Sequence, residues 1–173
     1  KDSLINQFNE MSKVLVDLPH LKIVLPSIVF EEKIIIEGSK RKIVLHSMGG
    51  GHTPSDTFMY LPEEKIAFMG DLVTENLHLP IYNPDDYSSI LKKVKELDIL
   101  TFVPGHGNVG DIELLNSLER YISVLIKSSK EAIENKLSIE SFVLEFNTPK
   151  EFREWKGVNG IKDNLYKIYK FYS

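Results

Sequence analysis

The spacing of apolar positions changes along the chain, and each spacing predicts a different element. From about Asp2 to Val16, Leu4, Ile5, Phe8, Met11 and Leu15 recur near helical spacing, so a helix is expected there. Asp2 or Ser3 is its candidate cap, and Pro19 ends it. The rhythm then shortens to β-branched runs, LKIVLP and KIIIEGSKRKIVLH, with Glu37-Gly38-Ser39-Lys40 turning a hairpin. A second hairpin is expected in DTFMYLPEEKIAFMGD, where Pro62-Glu63-Glu64 turns the chain.

Helical spacing returns in YNPDDYSSILKKVKELD. Asn83 stands as N-cap, Pro84 at the first helical position, and Asp85 and Asp86 in the first turn. Tyr87, Ile90, Leu91, Val94 and Leu97 form its apolar face. A short strand, ILTFVP, runs into GHGNVGD, and a long helix follows from about Asp111 toward Lys136. Leu114, Leu115, Leu118, Tyr121, Ile122 and Leu125 are its expected buried side. Residues 137–173 read as a helical tail of two or three pieces, broken at Asn147-Thr148-Pro149 and at Gly157-Val158-Asn159-Gly160. Phe152, Trp155, Tyr166, Ile168, Tyr169 and Tyr172 are spaced as core within it. Strands first, then strand and helix in alternation, predict an α/β domain with a mixed sheet and flanking helices.

Composition narrows the functional classes. A chain of 173 residues, 42% hydrophobic, is long enough for one domain with its own core, and residues 1–173 are read as one. A net charge of −4, with no Lys/Arg cluster interleaved with aromatics, gives no footprint for nucleic acid. The chain has no cysteine, so there is no disulfide framework and no thiolate chemistry, which fits a reducing, cytoplasmic setting. Apolar runs are too short to span a membrane, and no signal peptide is visible.

The chemistry sits in three short stretches. GGGHTPSD follows a strand with three glycines, which cost conformational entropy and add no side chain to a core. Close backbone approach or unusual dihedrals are the expected reason, and the residue delivered is His52. Asp71 in FMGDL and His106 in VPGHG share that context of strand end, glycine and ligand-type side chain. Nineteen residues separate His52 from Asp71, and thirty-five separate Asp71 from His106, as suits ligands carried on successive strand ends. Imidazole with carboxylate suits zinc, iron or manganese better than calcium. The other reading is three loop residues with separate jobs, and spacing alone leaves both open.

The run GHTPSDTFMYLPEEKIAFMGDLV followed by FVPGHG closely resembles the metallo-β-lactamase-fold hydrolases. The resemblance implies a partial αββα sandwich and a site for two metal ions, zinc foremost, with iron or manganese as alternatives. It implies that His52, Asp71 and His106 are metal ligands, with Asp71 bridging the two ions and positioning the nucleophile as a catalytic residue. Asp56 matches a position that supports the site from behind through a hydrogen bond; a turn cap is the alternative. His78 and Tyr82 match a loop over the metal centre and are candidates for the substrate pocket, or else plain surface residues. The implied activity is metal-dependent hydrolysis of a small ester, thioester, amide or phosphodiester. An aspartate at 71 makes the likeness closer to glyoxalase II-type thioesterases than to antibiotic-hydrolysing members.

The family's His-x-His-x-Asp-His cluster is absent, since no two histidines lie within four residues of each other. Only His20 and His46 precede His52. With Lys1 in place of Met, the expectation is a C-terminal portion whose site is incomplete by itself and which is inactive alone. Two rivals stand beside it: a non-catalytic binding module with a degenerate site, and an iron-dependent oxygenase or redox protein on the same fold. Loss of one sheet also predicts an exposed apolar face, covered by homodimerisation or strand exchange.

Overall fold

Alternating apolar residues build two hairpins. The computed structural model describes residues 2–157 and 160–173 and, before Phe8, only the side chain of Ile5. β1 (Lys33–Glu37) and β2 (Lys42–Ser47) pair antiparallel, and their turn closes where Gly38 N donates to Arg41 O at 3.0 Å. β3 (Thr57–Leu61) and β4 (Ile66–Gly70) form the second hairpin. α2 (Pro84–Lys95), the second helix, then carries the chain over to β5 (Thr101–Pro104), which lies parallel to β4. A parallel neighbour needs such a crossover, because a tight turn cannot return the chain in the same direction. The sheet order is β1-β2-β3-β4-β5, a mixed sheet with flanking helices as the sequence predicts.

The helices start where polar caps stand. Asn83 Oδ1 accepts from Asp85 N and Asp86 N, and Asp111 caps α3 (Ile112–Glu134) through Glu113 N. α4 (Ile139–Glu145) starts at Ser138, and α5 (Gly160–Tyr172) closes the tail after a 3-10 turn at Lys150–Phe152. The break at Asn147-Thr148-Pro149 is present; of the second expected break, Val158 and Asn159 lie outside the described residues. Trp155 is not in a helix but follows the 3-10 turn, and Tyr166 is 42% exposed rather than core. No described helix is long and apolar enough to cross a membrane.

One face of the sheet is buried. Phe58, Met69 and Phe102 lie in one core cluster with Tyr87 and Leu91 of α2 and Leu118 and Ile122 of α3, and α5 packs on α3. Phe102 is fully buried, so truncation to alanine should cost about 3–5 kcal/mol.

The other face carries a continuous apolar row, one residue per strand: Ile34, Leu45, Met59, Phe68 and Val103. Phe68 is 40% exposed. Helix α1 (Asp2–Asp17) does not cover this row; it touches chiefly the 3-10 turn at Leu18–His20, and Phe8 and Met11 face solvent. Its expected cap, Asp2 or Ser3, and Leu4 have side chains outside the described residues. The run LKIVLP forms no strand, contrary to its β-branched pattern. Ile23 and Val24 are 84% and 87% exposed, and the run does not pair with the free far edge of β1, so it has neither partner nor core.

An uncovered apolar row of this length favours self-association of the isolated chain. Sedimentation velocity should find species heavier than the 19.8 kDa monomer, and Phe68→Lys should shift them back toward it. A wild-type chain that stays monomeric would remove this expectation.

Candidate metal centre

Sheet topology brings three strand ends to one edge. β2 and β4 are each antiparallel to β3, so they run in the same direction, and β5 runs parallel to β4. The segments leaving these strands therefore start from the same end of the sheet, and they carry His52, Asp71 and His106. This is why residues far apart in sequence meet.

His52 is held through its backbone. Asp56 is 7% exposed; its Oδ2 accepts from His52 N at 2.6 Å, and its Oδ1 accepts from Thr53 N and Thr53 Oγ1. Its carbonyl accepts from Met48 N and Gly49 N. Asp56 thus closes the turn and fixes the His52 backbone in one arrangement. The glycines serve this turn. Gly49 and Gly50 have positive φ, and a Cβ on Gly51 would lie 2.9 Å from Asp56 Oδ2 and 3.0 Å from Tyr87 Cδ2. The loop is tied to the start of α2 where Tyr82 N donates to Gly51 O and Asn83 N to Gly50 O.

Asp71 and His106 are joined by a backbone contact. Gly105 N donates to Gly70 O at 2.7 Å, and a Cβ on Gly105 would stand 2.2 Å from Asp71 Oδ1. Two residues without a sequence motif brace this pair. Glu75 N donates to His106 O, while Glu75 Oε2 accepts from Asn108 N and Nδ2, which fixes the loop beyond His106. Tyr87 Oη donates to Leu72 O at 2.8 Å; burial, then the nearby Asp56 and Asp71 charges, push its hydroxyl far above the usual phenol range. Tyr87 was legible only as a core position of α2, and Glu75 gave no sequence signal.

The three side chains converge. His52 Nε2 lies 3.9 Å from Asp71 Oδ2, and His106 Nε2 lies 3.5 Å from Asp71 Oδ1. His52 Nδ1 is 2.7 Å from Pro80 O. A carbonyl only accepts, so Nδ1 carries the proton, and in the neutral ring Nε2 presents its lone pair toward Asp71. The donor types suit a transition metal, but their number does not: each imidazole faces its own Asp71 oxygen, giving two donors per position. Among the described residues no three His, Cys, Asp or Glu side chains are arranged to hold one metal ion.

The remaining histidines lie elsewhere. His46 stacks on Phe58 with centroids 4.9 Å apart on the core side of β2; burial, then the Lys33 charge, lowers its pKa. His20 is exposed in the 3-10 turn. His78 Nδ1 meets Tyr121 Oη at 2.9 Å, and burial lowers its pKa against a smaller opposing hydrogen bond to the Phe152 backbone. Together with His106 it lines a cavity of about 280 Å³, while a larger one of about 520 Å³ is lined by His106 with Glu75 and Trp155. Tyr82 is 59% exposed and lines neither.

Comparison with known proteins bears on the same stretch. A family model described as the metallo-beta-lactamase superfamily matches residues 6–106. A Caenorhabditis elegans protein described as Beta-lactamase-like protein 2 homolog is 28% identical over 102 residues, which are 59% of this chain and 33% of that protein. A metallo-beta-lactamase type 2 of Bacteroides fragilis is 27% identical over 107 residues, 58% of this chain and 43% of its own. The chain thus spans less than half the length of these curated relatives. Among solved structures, the sec-alkylsulfatase Pisa1 from Pseudomonas sp. superposes with a TM-score of 0.70 at 15% identity, over 87% of this chain and 27% of that one. A metallo-beta-lactamase from Pontibacter korlensis gives 0.54 at 22% identity, over 63% and 54%. At these identities the structural likeness speaks to fold.

Two outcomes follow from the geometry. Gly105→Ala should push Asp71 and the end of β4 away from the Gly105 loop, lowering stability by roughly 1–3 kcal/mol in denaturant unfolding and displacing the Asp71 resonances. A fully stable variant with Asp71 unmoved would refute the close-approach role. The lowered His78 and His46 pKa values mean that protonation costs the folded state more than the unfolded one. Their contribution is therefore complete above about 6.5 and is lost as pH falls through the lowered folded values. Tm should drop from pH 7 to pH 5, and less so in His78→Gln, with Trp155 fluorescence reporting the change beside His78.

Proposed function

The chain belongs to the metallo-beta-lactamase superfamily, whose members typically bind metal ions, and on that premise we propose that it carries the Asp71-centred half of a metal-dependent hydrolase site. The observation that carries this reading is the Asp71 carboxylate, which turns one oxygen toward each of two imidazole Nε2 atoms. In this reading Asp71 would be a ligand shared by two ions, with His52 and His106 as one ligand of each. Asp56 holds the His52 backbone, and Gly105 leaves room for the bridging carboxylate. The chain has no His-x-His-x-Asp-His cluster, so the other donors are proposed to come from sequence outside these 173 residues. Imidazole and carboxylate donors favour zinc, with iron or manganese as the alternatives. When bound, such ions supply an acidified water and polarise the scissile bond.

This chain's own residues do three things toward that reaction. The Nδ1 proton of His52 is held on Pro80 O, which keeps Nε2 free as a ligand. Asp71 presents negative charge between the two imidazoles and orients what lies there. The two cavities that His106 lines offer room for a small ester, thioester, amide or phosphodiester substrate, with His78 on the wall of the smaller.

The test is metal content and hydrolysis by the full-length protein, with a generic thioester and a generic phosphodiester as substrates. Wild type should carry about two ions, identified by elemental analysis. Asp71→Ala should lose metal and more than about 100-fold in kcat, beyond the 10- to 100-fold typical of an outer hydrogen-bonding partner. Unchanged metal loading in that variant refutes the bridge, and a full-length protein with neither metal nor turnover favours a binding module.

A further inference from the structure

We propose that Asn164, on α5, is a positioning residue for His52 and acts through the peptide unit between Pro80 and Ile81. The inference builds on the assignment of His52 as a ligand, and it adds a residue that lies outside the segment matched by the family model.

Asn164 occupies a core position. Ile161, Leu165 and Ile168 form the buried stripe of α5, and Asn164 sits within it at 2% exposure. A carboxamide there is costly unless its groups are bonded. All of them are: Oδ1 accepts from Ile81 N at 3.2 Å, and Nδ2 donates to Leu79 O at 2.8 Å and to Tyr121 Oη at 3.1 Å. An N–H can only donate and a carbonyl can only accept, so the two backbone partners fix which end of the amide is which.

The contacts bracket Pro80. Proline has no N–H, so the peptide unit before it can be held only by the Leu79 carbonyl, which Asn164 takes. The unit after it has its N–H on Asn164 and its carbonyl on His52 Nδ1, 2.7 Å away. A peptide unit is planar, and in the trans form its N–H and C=O point in opposite directions; no cis bond occurs here. Fixing the Ile81 N–H therefore aims the Pro80 carbonyl at His52. That carbonyl selects the Nδ1–H tautomer and leaves Nε2 facing Asp71. Tyr121 Oη also meets His78 Nδ1, so the loop is braced at a second point from the same buried cluster.

The experiment compares wild type, Asn164→Leu and Leu165→Ala as the 173-residue chain by solution NMR at pH 8. Leucine keeps the heavy-atom count and branching and completes the apolar stripe while removing all three hydrogen bonds. Leu165→Ala loosens the same helix, since Leu165 is fully buried, while leaving the three Asn164 hydrogen bonds in place. Long-range proton–nitrogen correlations should show His52 as the Nδ1–H tautomer in wild type and in Leu165→Ala. In Asn164→Leu that preference should be lost, and Ile81 amide exchange should quicken by about tenfold or more.

A wild-type His52 in the Nε2–H form overturns the proposal, whether or not the variants fold. So does an unchanged tautomer in folded Asn164→Leu, or an equal change in Leu165→Ala, which would mark a merely structural role. Zinc titration of the full-length protein separates this inference from the one beneath it. Binding weakened about 10- to 100-fold in Asn164→Leu supports both. No binding in either form, with the tautomer change intact, sinks the metal reading and leaves the positioning role supported.

Discussion

The contact between Gly70 and Gly105 is the constraint on which the site depends. β4 and β5 are parallel neighbours, and at their ends the two backbones come together without a side chain between them. Gly105 N donates to Gly70 O, and the space a Cβ would fill is taken by the Asp71 carboxylate and the Gly70 peptide. Only this closeness lets residues on adjacent strand ends, Asp71 and His106, face each other at 3.5 Å. The crossover through α2 makes the parallel pairing, and α2 also sends Tyr87 back to hold the Leu72 carbonyl. Fold and site are thus tied at one point: the pairing that completes the sheet also shapes the carboxylate's surroundings.

Much of this was legible in the sequence because it is written in local chemistry. Pro84 after Asn83, the glycines beside His52, Asp71 and His106, and the turn at Pro62-Glu63-Glu64 each state a backbone requirement a few residues long. The pattern of Leu115, Leu118, Ile122 and Leu125 does the same for a helix face. Other features depend on what lies opposite, and a single sequence does not state that. LKIVLP has the residues of a strand, yet a strand exists only when a partner takes its hydrogen bonds, and none of the described segments does. Tyr166 fits the apolar spacing of α5 but falls on its open side, with Lys170 over its ring. Glu75 and Asn164 act by bonding backbone groups remote in sequence, so their environment, not their type, carries their meaning.

Stability and chemistry are unevenly distributed over the molecule. The buried face of the sheet, with α2, α3 and α5, forms one continuous core. The other face is an apolar row that no described helix closes, and Phe8, Met11, Ile23, Val24 and Val29, before β1, lie in solvent. The candidate ligands sit at the boundary between these two halves, on the edge where β2, β4 and β5 end. The half that is well packed supplies what fixes their backbones: Asp56 in its turn, Tyr87 from α2, and Glu75 on the His106 loop.

The histidines show how that division decides chemistry. His46 and His78 are held by packing, and burial lowers the pKa of both, so each is kept from charge by its surroundings. His52 and His106 instead turn Nε2 toward a shared carboxylate, at 3.9 Å and 3.5 Å from its two oxygens. For His52 the other ring nitrogen is already committed to Pro80 O. Its orientation therefore rests on a loop carbonyl, and that carbonyl rests on the C-terminal helix. A segment of ordinary helical composition, with one amide in its apolar stripe, thereby reaches the candidate site through a single planar peptide unit.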